Sequence, residues 1–103
     1  MSFVHPSRED ITLEGVLHAL ADPTRLGIVQ ILQKNGGSCT SCAQAAPHSK
    51  MAKSTLSNHF RILREAGLIR SAKQGVEHRN VLRDEDINAR FPGLLKLVLK
   101  LAA

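Results

Sequence analysis

Two groups of side chains have types and spacings that could do chemistry. The first is Cys39-x-x-Cys42. Two thiols three residues apart near a helix start can share a face where the helix dipole favours the thiolate, so they could close a disulfide or give a metal two ligands. A structural zinc wants four ligands, and only one such pair is present. The second group is Lys53, Ser54, Thr55, Ser57, Asn58, His59, Arg61 and Arg64, interleaved with Leu56, Phe60 and Leu63. Hydroxyls, a carboxamide and guanidinium groups at this spacing suit recognition by hydrogen bonds. No nucleophile, base and orienting acid converge, and no glycine-rich phosphate loop is present, so an enzyme is not expected.

A helix must position the second group. Leu56, Phe60 and Leu63 recur at i, i+4 and i+7, giving one apolar stripe while Ser57, Asn58, Arg61 and Arg64 point elsewhere. The helix is expected over about 54–66, with Ser54 able to cap its first turn and Gly67 ending it. Phosphate also suits that first turn, at the positive end of the helix dipole.

Charge is concentrated around this segment. The chain carries a formal +5, and between Lys50 and Arg83 eight basic residues stand against two acidic ones, a local +6. Such clustering favours a polyanion and predicts steep salt dependence. With no Trp or Tyr and three Phe, stacking on single-stranded bases is a poor mechanism, so duplex DNA is the better partner.

The remaining elements follow in order. A chain of 103 residues forms one domain, 1–103. Residues 1–9 read as a flexible arm. Leu13, Val16, Leu17 and Leu20 give a first amphipathic helix, in which Gly15 is a mild weakness. Asp22 and Pro23 suit the N-cap and first position of a second helix, whose Leu26, Ile28, Val29, Ile31 and Leu32 place it in the core. Asn35-Gly36-Gly37 turns the chain. A short third helix is expected from roughly Cys39 or Thr40 to Ala46, with a cap at Ser38. Pro47 to Ala52 would connect it to the next helix, making a helix-turn-helix.

Leu68 to Ala72 and Val76 to Leu82 could pair through Lys73-Gln74-Gly75 as a hairpin, a wing whose Arg70, Lys73 and Arg79 suit phosphates beside a groove. A C-terminal helical segment, 84–103, opens with Asp84-Glu85-Asp86, which complement the dipole, and is interrupted at Pro92-Gly93. Six large apolar residues in the eight positions from Leu94 to Leu101 leave no clean polar face. Dimerisation through Leu13, Val16, Leu17, Leu94, Leu95, Val98 and Leu101 is the expected cover.

No signal peptide is read in Met1 to Asp10, and Leu94 to Ala103, broken by Lys96 and Lys100, is far shorter than a membrane span of roughly 20 residues. A cytoplasmic protein without membrane association is expected. Two cysteines are too few for a secreted disulfide framework.

Leu20-Ala21-Asp22-Pro23-Thr24-Arg25-Leu26 resembles the opening signature of the ArsR/SmtB-type winged helix-turn-helix repressors. Lys53 to Phe60, with Leu63-Arg64-Glu65-Ala66-Gly67-Leu68-Ile69, resembles their recognition helix and its exit. The resemblance spans about Val16 to Arg83. It implies an α-α-α-α-β-β-α fold, mainly α with a β-hairpin, that dimerises through its first and last helices and places two recognition helices about one helical turn apart on a near-palindromic operator. By that resemblance Ser54, Thr55, Ser57, Asn58 and His59 face DNA. Base-edge geometry would pair Asn58 with adenine and Arg61 with guanine, while Lys53, Ser54 and Thr55 hold phosphates.

The connection 47–52 is about three residues longer than in the family, which leaves a contact from Lys50 unassigned. Members often release DNA when a metal, metalloid or oxidant arrives, making Cys39 and Cys42 sensor candidates. The family's arsenic-type pair is Cys-x-Cys, however, and no His or Cys after Asp84 supplies its interfacial zinc site. No cofactor or resident metal is expected, and the small effector is not specified. The main expectation is a homodimeric, sequence-specific DNA-binding regulator, a repressor by analogy. The alternatives are a winged-helix module for protein or RNA, and a thiol oxidoreductase, which lacks the usual βαβ context.

Overall fold

The computed structural model describes residues 5–35, 38–39, 51–75 and 77–102. Its elements are α1 (Leu13–Leu20), α2 (Pro23–Lys34), β1 (Ser38–Cys39), α3 (Lys53–Ala66), β2 (Ile69–Gln74), β3 (Glu77–Leu82), α4 (Asp84–Arg90) and α5 (Leu94–Ala102). The expected positioning helix between Thr40 and Ala46, with Cys42 and Lys50, lies outside the described residues.

Helix starts follow local chemistry. Thr12 caps α1, its hydroxyl accepting from Gly15 N–H at 3.1 Å. A Cβ on residue 15 would sit 2.8 Å from that hydroxyl, so a larger residue there would make the Thr12 side chain shift. Asp22 caps α2, accepting from the N–H groups of Thr24 and Arg25 at 2.9 and 3.1 Å, with Pro23 in the first turn. Helix α3 differs from expectation: its N-cap is Ala52, which has no side chain to cap with, and Ser54 already lies within the helix. A capping side chain must stand on the flanking, non-helical residue, and Ser54 lies two positions past it.

Gly67 ends α3 with φ of 87°, and the N–H groups of Gly67 and Leu68 bond back to the carbonyls of Arg64 and Leu63, both at 3.0 Å. This is a Schellman closure. Space demands glycine as well as conformation, since a Cβ here would lie 2.5 Å from Ile11 Cγ1.

The wing is an antiparallel β2–β3 pair from Ile69 opposite Leu82 to Gln74 opposite Glu77, turning at Gly75, whose φ is 65°. The first strand begins one residue, and ends two residues, later than expected. A third strand joins it, giving the order β1-β3-β2, with Ser38 opposite Val81 and Cys39 opposite Asn80. Cys39 therefore starts no helix; its backbone is a strand.

The core gathers Val16, Ala19 and Leu20 of α1, Ile28, Val29 and Leu32 of α2, and Phe60 and Leu63 of α3. Ile11, Leu68, Ile69, Leu82, Ile87, Leu95 and Leu99 complete it. Two residues expected at a dimer surface, Val16 and Leu95, are buried here within one chain, at 0% and 3% exposure. Both lie on the inward stripes of helices whose outward stripes carry Leu13, Leu17, Leu97 and Leu101, all exposed. The C-terminal segment is two helices, α4 and α5, parted at Pro92-Gly93, where Gly93 has a φ of 81°.

The N-terminal arm is docked from His5 onward. Arg8–Asp10 form a 3-10 turn, Arg8 Nε donates to Asp86 at 2.7 Å, and Ser71 N–H donates to His5 Nε2 at 2.9 Å on the outer edge of β2. The buried Arg83 joins this clasp, donating to Pro6 O and to Asp86, both at 2.8 Å.

Candidate nucleic-acid interface

Helix α3 is held from behind by α1, α2 and β2. Phe60 and Leu63 are buried and Leu56 half-buried, which turns Lys53, Ser54, Thr55, Ser57, Asn58 and Arg61 outward to solvent along one ridge. All six were expected at the interface. None of them is needed by the core, so the ridge is free for recognition.

His59 does not join the ridge. Leu56, His59, Phe60 and Leu63 form the i, i+3, i+4, i+7 set of an inward stripe, and the histidine, with 14% of its side chain exposed, packs toward α2. Arg25 Nη1 donates to His59 Nδ1 at 3.2 Å. The same guanidinium, buried at 8% exposure, donates from Nε to Ala19 O at 2.7 Å and from Nη2 to His18 O at 3.3 Å. One arginine thus joins the C-terminus of α1, the start of α2 and the middle of α3. Asp22 lies beside it, 3.9 Å from His59 Nδ1. Burial works against the Asp22 carboxylate, but N–H bonding from Arg25, the nearby charge of Arg25 and the Thr24 N–H together hold its pKa below the ordinary value.

Arg25 was missed as a positioning residue because a charged side chain three positions into a helix reads as surface. Its available signal was the inward placement of His59, which needs a partner.

Arg61 stands on the ridge between two acceptors. Its Nη2 donates to Asn58 Oδ1 at 2.6 Å and its Nη1 to the Glu65 carboxylate at 3.0 and 3.3 Å. Arginine has no acceptor, so the Asn58 atom facing it must be the oxygen. Arg64, half-buried, leans toward the wing instead, with Nη1 3.5 Å from Ser71 Oγ. Ser71 Oγ in turn donates to the buried Asn80 Oδ1 at 2.7 Å, tying α3 to both wing strands.

The three wing cations divide between two faces. Arg70 lies opposite Val81 and Ala72 opposite Arg79, which puts Arg70 and Arg79 on the outer face of the ribbon. Lys73 falls on the other face, in line with Ser71, but close enough to the tip to be exposed. All three cations reach solvent.

Among the described residues no group of three or more His, Cys, Asp or Glu side chains is arranged to hold a metal ion. Nor, among them, is any helix long and apolar enough to cross a membrane.

A helix-turn-helix domain family matches residues 20–72, just over half of the chain. An uncharacterized HTH-type transcriptional regulator of Bacillus subtilis is 33% identical over 81 residues, covering 79% of this chain and 80% of that protein. One from Methanocaldococcus jannaschii, also uncharacterized, is 31% identical over 83 residues, 81% of this chain and 86% of its own length. The crystal structure of an ArsR family transcriptional regulator superposes with a TM-score of 0.67 at 27% identity, covering 97% of this chain and 98% of the other. The chain therefore belongs to the ArsR-type winged helix-turn-helix family of transcriptional regulators. Its members bind DNA and are not enzymes, which supports double-stranded DNA as the partner.

Proposed function

We propose that the protein is a homodimeric transcriptional repressor that places α3 of each subunit in successive major grooves of a near-palindromic operator. The observation that carries this reading is the ridge of Ser54, Thr55, Ser57, Asn58 and Arg61, solvent-facing on a helix whose opposite stripe is locked into the core. Asn58 and Arg61 take base edges. Lys53, Ser54 and Thr55 take phosphates at a helix start that no N-cap side chain closes. Arg70, Arg79 and Lys73 extend phosphate contact along the wing, and Arg64 braces the wing against α3.

The second subunit covers the exposed leucines: Leu13 and Leu17 on α1, and Leu97 and Leu101 on α5, together with the half-buried Leu94 and Val98. An apolar stripe on each of two helices of one small domain favours a second copy as its cover. Repression follows if the dimer occludes a promoter.

A thiol-based release acts through Cys39 and Cys42. Oxidation by a peroxide would join the two sulfurs, giving up two protons and two electrons while the peroxide is reduced to water. Support comes from the position of Cys39, whose backbone pairs with Asn80 on the wing strand β3. A constraint on Cys39 therefore pulls on the wing. A metal or metalloid bridging the same thiols would pull in the same way.

Fluorescence anisotropy on a duplex carrying the region upstream of its own gene, against a scrambled duplex, tests the reading under reduced and oxidised conditions. Preference for the upstream duplex that is lost on oxidation supports the whole proposal. Preference indifferent to oxidation removes the thiol switch alone, and equal affinity for both duplexes removes the operator on that region.

A further inference from the structure

We propose that Glu65 is a specificity-determining residue: it holds Arg61 as a reader of base edges and keeps it from acting as a general phosphate clamp. The inference deepens the base-reading role given to Arg61 above and rests on it. Arg61 Nη1 meets the Glu65 carboxylate at 3.0 and 3.3 Å while Nη2 meets Asn58 Oδ1 at 2.6 Å. The three side chains stand at i, i+3 and i+7 along the exposed ridge of α3, with Arg61 and Glu65 each more than half exposed.

An unpaired arginine on a DNA-facing helix gains most from the nearest phosphate, because that attraction is Coulombic, releases counterions and is the same at every sequence. Glu65 offsets the charge of Arg61 and sets a carboxylate where an approaching phosphate is repelled. A guanine edge is different. Its N7 and O6 are neutral acceptors lying in a plane, and a guanidinium has five N–H groups to distribute, so base contact costs Arg61 less of its bond to Glu65 than phosphate contact does. The acidic residue lowers indiscriminate binding more than it lowers operator binding. Exposure makes this a matter of recognition and not of folding, since a surface pair of this kind contributes little to stability.

The test compares wild type, Glu65→Gln, Arg61→Ala and the double variant on the upstream duplex and on its scrambled counterpart, titrated across salt. Glu65→Gln is expected to tighten scrambled DNA several-fold and steepen its salt dependence by about one unit of log K against log salt, the slope of roughly one added phosphate contact. Affinity for the upstream duplex should change much less, so the ratio of the two affinities falls. In the Arg61→Ala background the same substitution should have little effect on either duplex.

Tightening that survives in the Arg61→Ala background would show a general charge effect and overturn the inference. So would an unchanged ratio in Glu65→Gln when wild type prefers its upstream duplex, an outcome that leaves base reading by α3 standing. A wild type without preference overturns base reading on that duplex and the inference with it. Unchanged thermal melting of Glu65→Gln is the control for folding.

Discussion

The guanidinium of Arg25 donates to His59 Nδ1 at 3.2 Å, joining the start of α2 to the middle of the recognition helix. Because arginine can only donate, Nδ1 accepts, and the neutral ring carries its proton on Nε2. Replacing Arg25 by Met removes this bond and strands the Ala19 carbonyl, while the His18 carbonyl keeps the Ala21 N–H at 3.2 Å. The expected loss is about 1–3 kcal/mol, read as a lower urea midpoint, because buried acceptors are left unmet. His59→Asn keeps an acceptor near the Nδ1 position and should lose distinctly less than His59→Leu. Equal losses for those two variants would show that the histidine only fills space.

Gly67 makes a second prediction. A non-glycine residue at φ of 87° costs about 1–2 kcal/mol by itself. Alanine also brings a Cβ to 2.5 Å from Ile11 Cγ1, so Gly67→Ala should exceed that cost. The excess belongs to the pair. In an Ile11→Ala background, already weakened by its cavity, the further loss from Gly67→Ala should fall back toward the backbone cost alone, a non-additivity measurable in a double-mutant cycle. Simple addition of the two losses would contradict the steric account.

Acidification should loosen the N-terminal arm. His5 accepts the Ser71 N–H at the edge of β2, and burial, followed by the charges of Arg70, Arg83 and Arg64, holds its pKa below 6.5. The folded value lies below the unfolded one, so the arm's stabilisation is complete above pH 6.5 and fades as pH falls through the lowered value. Asp86, at the other end of the clasp, is held low by bonds from Arg83 and Arg8, so its contribution persists into more acidic solution. Hydrogen exchange at the Ser71 amide should therefore accelerate beyond its intrinsic pH trend on going from pH 7 to 5. His5→Gln, which keeps an acceptor but cannot titrate, should abolish that extra acceleration.

Much of this architecture is legible in the residues because local chemistry and packing agree. Asp22-Pro23 caps α2, Leu56, Phe60 and Leu63 set the inward stripe of α3, and Gly67 closes it. What escapes the sequence depends on partners distant along the chain. The two residues of β1 are too few to show any period, and their strand exists only against Val81 and Asn80. From His5 onward the arm read as flexible is fixed by Ser71, Arg83 and Asp86, more than sixty positions away. His59 could have been read correctly, since its own helical spacing puts it with Phe60. The family resemblance instead puts His59 on the DNA side, against this period.

The exposed leucines separate subunit contact from folding. Leu97 is 54% and Leu101 76% exposed in the single chain, whereas Leu95, on the same helix, is 3% exposed. Lysine at 97 or 101 keeps its charge in water in the monomer and becomes costly only where a second subunit would bury it. Leu97→Lys and Leu101→Lys, combined, are therefore expected to sediment as monomers with an unchanged helical circular dichroism spectrum. Leu95→Lys must bury its ammonium in the core and should unfold the chain. If operator binding needs two recognition helices, the monomeric variant loses most of its affinity for the upstream duplex while keeping the weak, salt-sensitive binding to scrambled DNA. A dimer that survives both lysines would place the interface elsewhere than on α5.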